Sequence, residues 1–178
     1  MALKATIFKA ELNIADLDRH YYADHTLTIA RHPSETDERM MLRIAMFALF
    51  GHEHLNFTKG LSSDDEPDLW QKDLSGEIEH WIDLGLPDEK RIRKACGRAK
   101  KVTLCCYGGN PAEHWLEKNK SQLARFKHLN IINISLESSQ ALATFAERNM
   151  NLQCTIQDQQ LFINNGTQSL TVSFEQWF

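Results

Sequence analysis

The sequence predicts an α/β fold of the mixed α+β kind, a mixed β-sheet flanked by helices, and three observations make that prediction. The opening residues alternate polar and apolar side chains, as two paired strands would. The middle of the chain alternates helical patterns with short buried-strand patterns. The tail returns to period-two alternation around Asn165-Gly166, the strongest hairpin signal present. At 178 residues, with 42% hydrophobic and 25% charged side chains, the chain suits one domain, 1–178, with an ordinary core.

Residues 5–14 make the first strand, 15–19 a polar turn, and 20–30 the returning strand. Ser34 offers an N-cap with Asp37 three residues on. From 40 to 50 the chain is apolar on nearly every side except at Arg43, so this helix is deeply buried. A polar, His-bearing loop over 51–65 precedes two acidic strands, 67–72 and 77–83, joined by a turn at 73–76. Gly85 and Pro87 introduce a basic helix whose first turn holds Asp88 and Glu89, where the helix dipole favours them. A buried strand over 101–107 follows, then a helix from 111, a strand over 131–136 and a helix from 138. Three short strands, 152–157, 160–164 and 168–174, complete the order.

Several functions fall away at this level. No apolar run approaches the ~20 residues that span a bilayer, and the first residues lack the apolar centre of a signal peptide. The expectation is a cytoplasmic protein without a membrane partner. Cys96, Cys105, Cys106 and Cys154 show no CxxC pair and no zinc spacing, so reduced, buried thiols are expected. A net charge of −4 means that any binding to nucleic acid needs a local basic surface. Gly108-Gly109 lacks the companions of a phosphate-binding loop, no serine-hydrolase elbow occurs, and His52 and His54 lack further metal ligands nearby.

The acidic hairpin carries the chemistry worth testing, because carboxylates are poor strand formers. If Lys72 lies opposite Glu77, then Trp70 faces Glu79 and Asp68 faces Trp81. Asp68, Glu77, Glu79 and Asp83 then share a face with both tryptophans, while Ile78, Ile82 and Leu84 point into the core. Asp68 becomes a diagonal neighbour of Glu79, roughly 7–8 Å away along the backbone, a gap suited to a divalent ion. Magnesium needs only one or two protein carboxylates and completes its shell with water and phosphate. The competing reading is a solvated acidic face. Glu38 heads a helical stripe with Met41, Leu42, Ala45 and Leu49, and so needs a partner, either a site or an arginine such as Arg31 or Arg39.

The stretches "ARHPSETDERMM", "EPDLW", "GEIEHWIDLGLPDEKRIRKA" and "ADLDRHYYADHTLTIA" resemble the bacterial YaeQ family over essentially the whole chain. That family is similar in fold to the PD-(D/E)xK nucleases, which implies a restriction-endonuclease-like core with added β-hairpins. The resemblance implies Asp68 and Glu79 as Mg2+ or Mn2+ ligands, with Glu38 as the additional first-helix carboxylate. Two residues after Glu79, however, stands Trp81 rather than Lys. The superfamily moves that lysine to an adjacent helix in some members, which would nominate Lys90 or Lys94. Helical spacing places Lys90, Lys94 and Lys101 opposite the apolar stripe of Ile92, Ala95, Cys96 and Ala99, on a solvated face.

Two functions follow. One is a divalent-metal-dependent nuclease acting on DNA or RNA through Asp68, Glu79, Glu38 and one of the two lysines. The other is a catalytically inactive nuclease-fold protein that acts as a nucleic-acid-binding or protein-interaction module. Binding would then run through the basic helix with Lys90, Arg91, Arg93 and Lys94.

Overall fold

The structure, a computed structural model, describes residues 4–59 and 65–178. Strands β1 (Thr6–Asp16) and β2 (Tyr21–Arg31) pair antiparallel, from Thr6 opposite Arg31 to Asp16 opposite Tyr21. Their alternation sets the faces: Phe8, Ala10, Leu12 and Ile14 are buried, while Lys9, Glu11 and Asn13 meet water. Helix α1 (Asp37–Leu49) follows, and every residue from 40 to 49 is buried, Arg43 included. Its cap is Thr36 rather than Ser34: the Thr36 side chain accepts from the Arg39 amide, while the Ser34 hydroxyl bonds His32.

A helix that is apolar all round needs a layer on each side, and two sheets supply them. The first has the order β10 (Ser169–Val172), β9 (Gln160–Asn164), β8 (Asn149–Gln157), β1, β2, with β8 parallel to β1. The second has the order β11 (Phe174–Gln176), β7 (Leu129–Ile134), β6 (Ala99–Cys106), β5 (Ile78–Leu84), β4 (Leu69–Lys72), β3 (Leu55–Phe57). Here β5, β6 and β7 run parallel through the crossover helices α2 (Glu89–Arg98) and α3 (Asn110–Leu123). Helix α4 (Leu136–Ala143) packs on α1 and β10. A mixed sheet is therefore present twice, the first with helices on its inner face alone and the second with helices on both faces. Strands β3 and β11 were not expected, because three residues are too few to show a period.

Two cores result. One collects α1 together with inward residues of both sheets, among them Leu12, Ile29, Leu69, Ile82 and Leu152. The other lies on the far side of the second sheet, under α2 and α3, and holds Trp81, Ile92, Leu104, Leu123 and Ile131. All four cysteines are unpaired and buried, as expected. Among the described residues no helix is long and apolar enough to cross a membrane.

The acidic hairpin departs from its expected register by two residues. Trp70 faces Trp81, Gln71 faces His80, and Leu69 faces Ile82. One residue of the difference comes from the turn, where the Asp73 carboxylate accepts from the Ser75 and Glu77 amides. The other comes from a bulge: Lys72 pairs with Ile78 although Gln71 pairs with His80, so Glu79 is the extra residue. An even shift preserves the faces, so Trp70 and Trp81 stay together, and Ile82 and Leu84 reach the first core. Ile78, beyond the bulge, joins the second core instead. The tryptophan face is no open hollow: Trp81 is fully buried beneath the outer helices.

Candidate functional site

Asp68 stands just before β4, beside Pro67, and the corrected register puts it against Asp83 near the end of β5. The Asp68 amide donates to the Ile82 carbonyl at 3.1 Å and to Asp83 Oδ1 at 3.3 Å. Both oxygens of Asp68 accept from Arg39 Nη2, at 2.8 and 2.9 Å, and Oδ2 also accepts from the Leu84 amide at 2.9 Å. Arg39 in turn donates to Glu35 at 2.9 Å, and Glu35 accepts from Arg43 at 2.6 and 3.0 Å. A charged chain thus runs Asp68, Arg39, Glu35, Arg43 along α1 into the first core.

Asp83 is held from the other side of the sheet. Its Oδ2 accepts from Trp81 Nε1 at 3.0 Å and Arg91 Nε at 2.9 Å, and its Oδ1 from Arg91 Nη2 at 3.1 Å. Arg91 also donates to the Glu66 carbonyl. Asp68 and Asp83 are 4% and 5% exposed. Burial pushes the Asp68 carboxyl above its ordinary value; Arg39 draws it back and the charge of Asp83 adds to the rise. Two neighbouring buried carboxylates are tolerable because a guanidinium neutralises each one.

Whether this pair suits a divalent ion is a question of free lone pairs. A carboxylate offers about four acceptor positions. Asp83 fills them with Trp81, two Arg91 nitrogens and the Asp68 amide, and Asp68 accepts three hydrogen bonds. The charge is already balanced. Mg2+ or Mn2+ does not fit the pair while Arg39 and Arg91 stay in place.

The residues nominated from sequence lie apart. Glu79 sits at the rim of β5, where Lys100 Nζ donates to it at 2.6 Å and lies 3.2 Å from Glu77. Position 83, opposite Asp68, is four residues from Glu79, roughly 13 Å at ~3.3 Å per residue. Among the described residues Asp73, Glu77 and Glu79 gather closely, but Lys100 already serves two of them, and both hold its amine above the ordinary value. Glu38 is half-buried beside Tyr107, whose phenol is pushed up chiefly by burial. The acid that needs a partner is Glu35, 7% exposed, not Glu38. Glu35, Arg39 and Arg43, spaced by four, carry that signal in the sequence.

On α2, Arg91 turns inward to Asp83, so the structure removes it from the outer face. Lys90, Arg93, Lys94 and Arg98 remain exposed, Arg93 bonded to Glu89 and Lys94 to Asp65. Neither Lys90 nor Lys94 has a bond to Asp68 or Glu79 among the contacts of the described residues. The loop after α3 widens this face. Arg125 donates to Glu89 at 3.0 Å, His128 bonds the Cys96 carbonyl at 2.8 Å, and Arg125 and Lys127 are exposed. Among the described residues, Arg93 and Arg125 bond Glu89, and Lys94 and Arg98 bond Asp65, while Lys90 and Lys127 are exposed nearby. Arg125 and Lys127 escaped the sequence reading because only the packing of the loop on α2 brings them there. Residues 60–64, part of the expected His-bearing loop, lie outside the described residues.

A protein-family model described as "YaeQ protein" matches residues 1–174. The chain is 45% identical over 177 residues to "Uncharacterized protein YaeQ" of Escherichia coli (strain K12), covering 99% of this chain and 98% of that one. It is similar to the crystal structure of YaeQ protein from Xanthomonas axonopodis pv. citri, with a TM-score of 0.94, 44% identity, and 97% and 98% of the two chains covered. The crystal structure of YaeQ protein from Pseudomonas syringae gives a TM-score of 0.93 at 34% identity over 98% and 96% of the chains.

Proposed function

The chain belongs to the YaeQ family, and on that premise we propose that it binds the phosphate backbone of nucleic acid without cutting it. Contact runs through the outer surface of α2 and the loop after α3. The observation that carries this reading is the convergence of Lys90, Arg93, Lys94, Arg98, Arg125 and Lys127 on one exposed face of a chain whose net charge is −4. Cations set against the overall sign of a molecule concentrate a local positive field, which attracts a polyanion. Long, exposed side chains neutralise phosphates and release counter-ions.

The closed aspartate pair supports the second half of the reading. Asp68 and Asp83 spend their lone pairs on Arg39, Arg91 and backbone amides, so they act as a structural clamp between α1, β5 and α2. Trp81, where the nuclease pattern places lysine, donates to Asp83 from within the core.

The test is fluorescence anisotropy with labelled single- and double-stranded oligonucleotides across a salt series, with EDTA and with Mn2+. Binding should weaken with salt at a log–log slope of about −3 to −5, as for four or five neutralised phosphates. EDTA should change nothing. Lys90→Ala, Lys94→Ala, Arg98→Ala and Lys127→Ala together should flatten the slope and remove most of the affinity. Absent binding at about 50 mM salt, or full affinity in the quadruple variant, overturns the proposal. Cleavage in Mn2+ that disappears in Asp68→Asn would instead establish the hydrolase.

A further inference from the structure

A cavity of about 200 Å³ opens between the two sheets at the C-terminal end of α1. It lies on the α1 side of the second sheet, away from the outer basic face. Phe50, Ile132 and Phe174 give it apolar walls, and Asn130, Gln159 and Arg19 bring polar groups. Gln176, also in the lining, donates to Asn130.

The charge around this cavity is unusual. Lys101 Nζ lies 5.5 Å from the centroid of Phe50, and no ion pair with a carboxylate occurs for it among the described residues. His80 packs edge-on to the same ring at 5.0 Å and bonds Thr103 at 2.7 Å. Arg19 spends its charge on buried Asp16 at 2.6 Å and donates to the Gly51 carbonyl. Asp18, also lining the cavity, accepts from the Asp158 and Gln159 amides. Burial and the nearness of Arg19 lower the Lys101 amine. Burial, Lys101 and Arg19 together hold His80 neutral, near 3. Arg19, Lys101 and the neutral His80 thus stand close to two acids, Asp16 committed to Arg19 and Asp18 to backbone amides.

We propose that this cavity binds a nucleoside monophosphate, with its base against Phe50 and Phe174 and its phosphate at the mouth between Arg19 and Lys101. Rings stack on phenyl faces, and the exposed carboxamide of Gln159 presents paired donor and acceptor to a base edge. About 200 Å³ is small beside common ligand pockets. It takes a base and leaves the phosphate outside, where the amine without a carboxylate waits. The site is independent of the surface proposed for polymer binding, so either can fail alone.

Calorimetry on the full chain decides, with AMP, GMP, CMP and UMP as ligands and inorganic phosphate and the free nucleosides as comparison arms. At least one monophosphate should bind about tenfold more tightly than inorganic phosphate. Lys101→Met should weaken that nucleotide about tenfold, as loss of a charged hydrogen bond does, and leave the matching nucleoside unaffected. Gln159→Ala, at an exposed turn, should weaken both nucleotide and nucleoside. No heat from any monophosphate at millimolar concentration overturns the site. Inorganic phosphate binding as tightly as the nucleotides overturns the base pocket, and unaltered affinity in Lys101→Met overturns the phosphate position.

Discussion

Removing the Arg39 guanidinium tests the clamp directly. In Arg39→Met the apolar stem survives, Glu35 keeps Arg43, and Asp68 loses two of its three hydrogen bonds, retaining that of the Leu84 amide. Breaking a buried pair by deleting one partner costs about 3–5 kcal/mol, because the remaining charge is left uncompensated. Arg39 is 13% exposed at its side chain, so water can reach part of the gap, and the low end applies. About 3 kcal/mol in a chain of this size lowers Tm by about 6–12 °C. Urea denaturation followed by tryptophan fluorescence at pH 7 and pH 5 measures it. Burial already raises the Asp68 carboxyl, and without Arg39 it rises further. Its folded pKa then exceeds its unfolded value, so the protonated form is favoured in the fold and the deficit must shrink as pH falls. The wild type should ignore Mn2+, whereas the variant, with an uncompensated aspartate beside Asp83, should be stabilised by it. A Tm within about 2 °C of wild type, or an equal deficit at both pH values, refutes the clamp.

His80 gives a pH dependence of its own. Its folded pKa lies near 3 against 6.5 when free, so the unfolded chain takes up a proton that the fold refuses as pH drops between those values. Stability should fall by about 1.4 kcal/mol per pH unit from this group alone, and His80→Gln should lose that slope in urea titrations at pH 7, 6 and 5; parallel curves would contradict it. Glu79→Gln should leave Tm and the response to Mn2+ unchanged, since Lys100 keeps Glu77 and the pair is exposed. Loss of a manganese response in that variant would restore Glu79 as a ligand.

The order of elements was legible because period two and period 3.6 are local properties. Burial of α1 was legible from its unbroken apolar run, and the inward face of α2 from Ile92, Ala95 and Cys96. The number of sheets was not, since β1 chooses β8, a strand far along the chain, and no local pattern records a partner. The site was half legible. Asp68 stood out beside Pro67, but its neighbour depended on a turn one residue wider than assumed and on a bulge at Glu79. Both are small backbone adjustments, and they exchanged Glu79 for Asp83. Arg39 was expected to pair with a carboxylate, though with Glu38 rather than Asp68. Arg91 was read as solvent-facing because amphipathic spacing reports a side chain's angle on its helix. It does not say how far a long side chain reaches over the end of a sheet to a carboxylate.

The pairing of β1 with β8 has a consequence for biosynthesis. Once the first hairpin leaves the ribosome, one flank of β1 is satisfied by β2, but the other flank shows open amides and carbonyls until Asn149–Gln157 is made. At cellular elongation rates that wait lasts roughly 10 s. During it the nascent hairpin displays an adhesive margin able to recruit stray strands from other chains. Slow translation or a shortage of chaperones should therefore harm the yield of this protein more than its equilibrium stability would suggest.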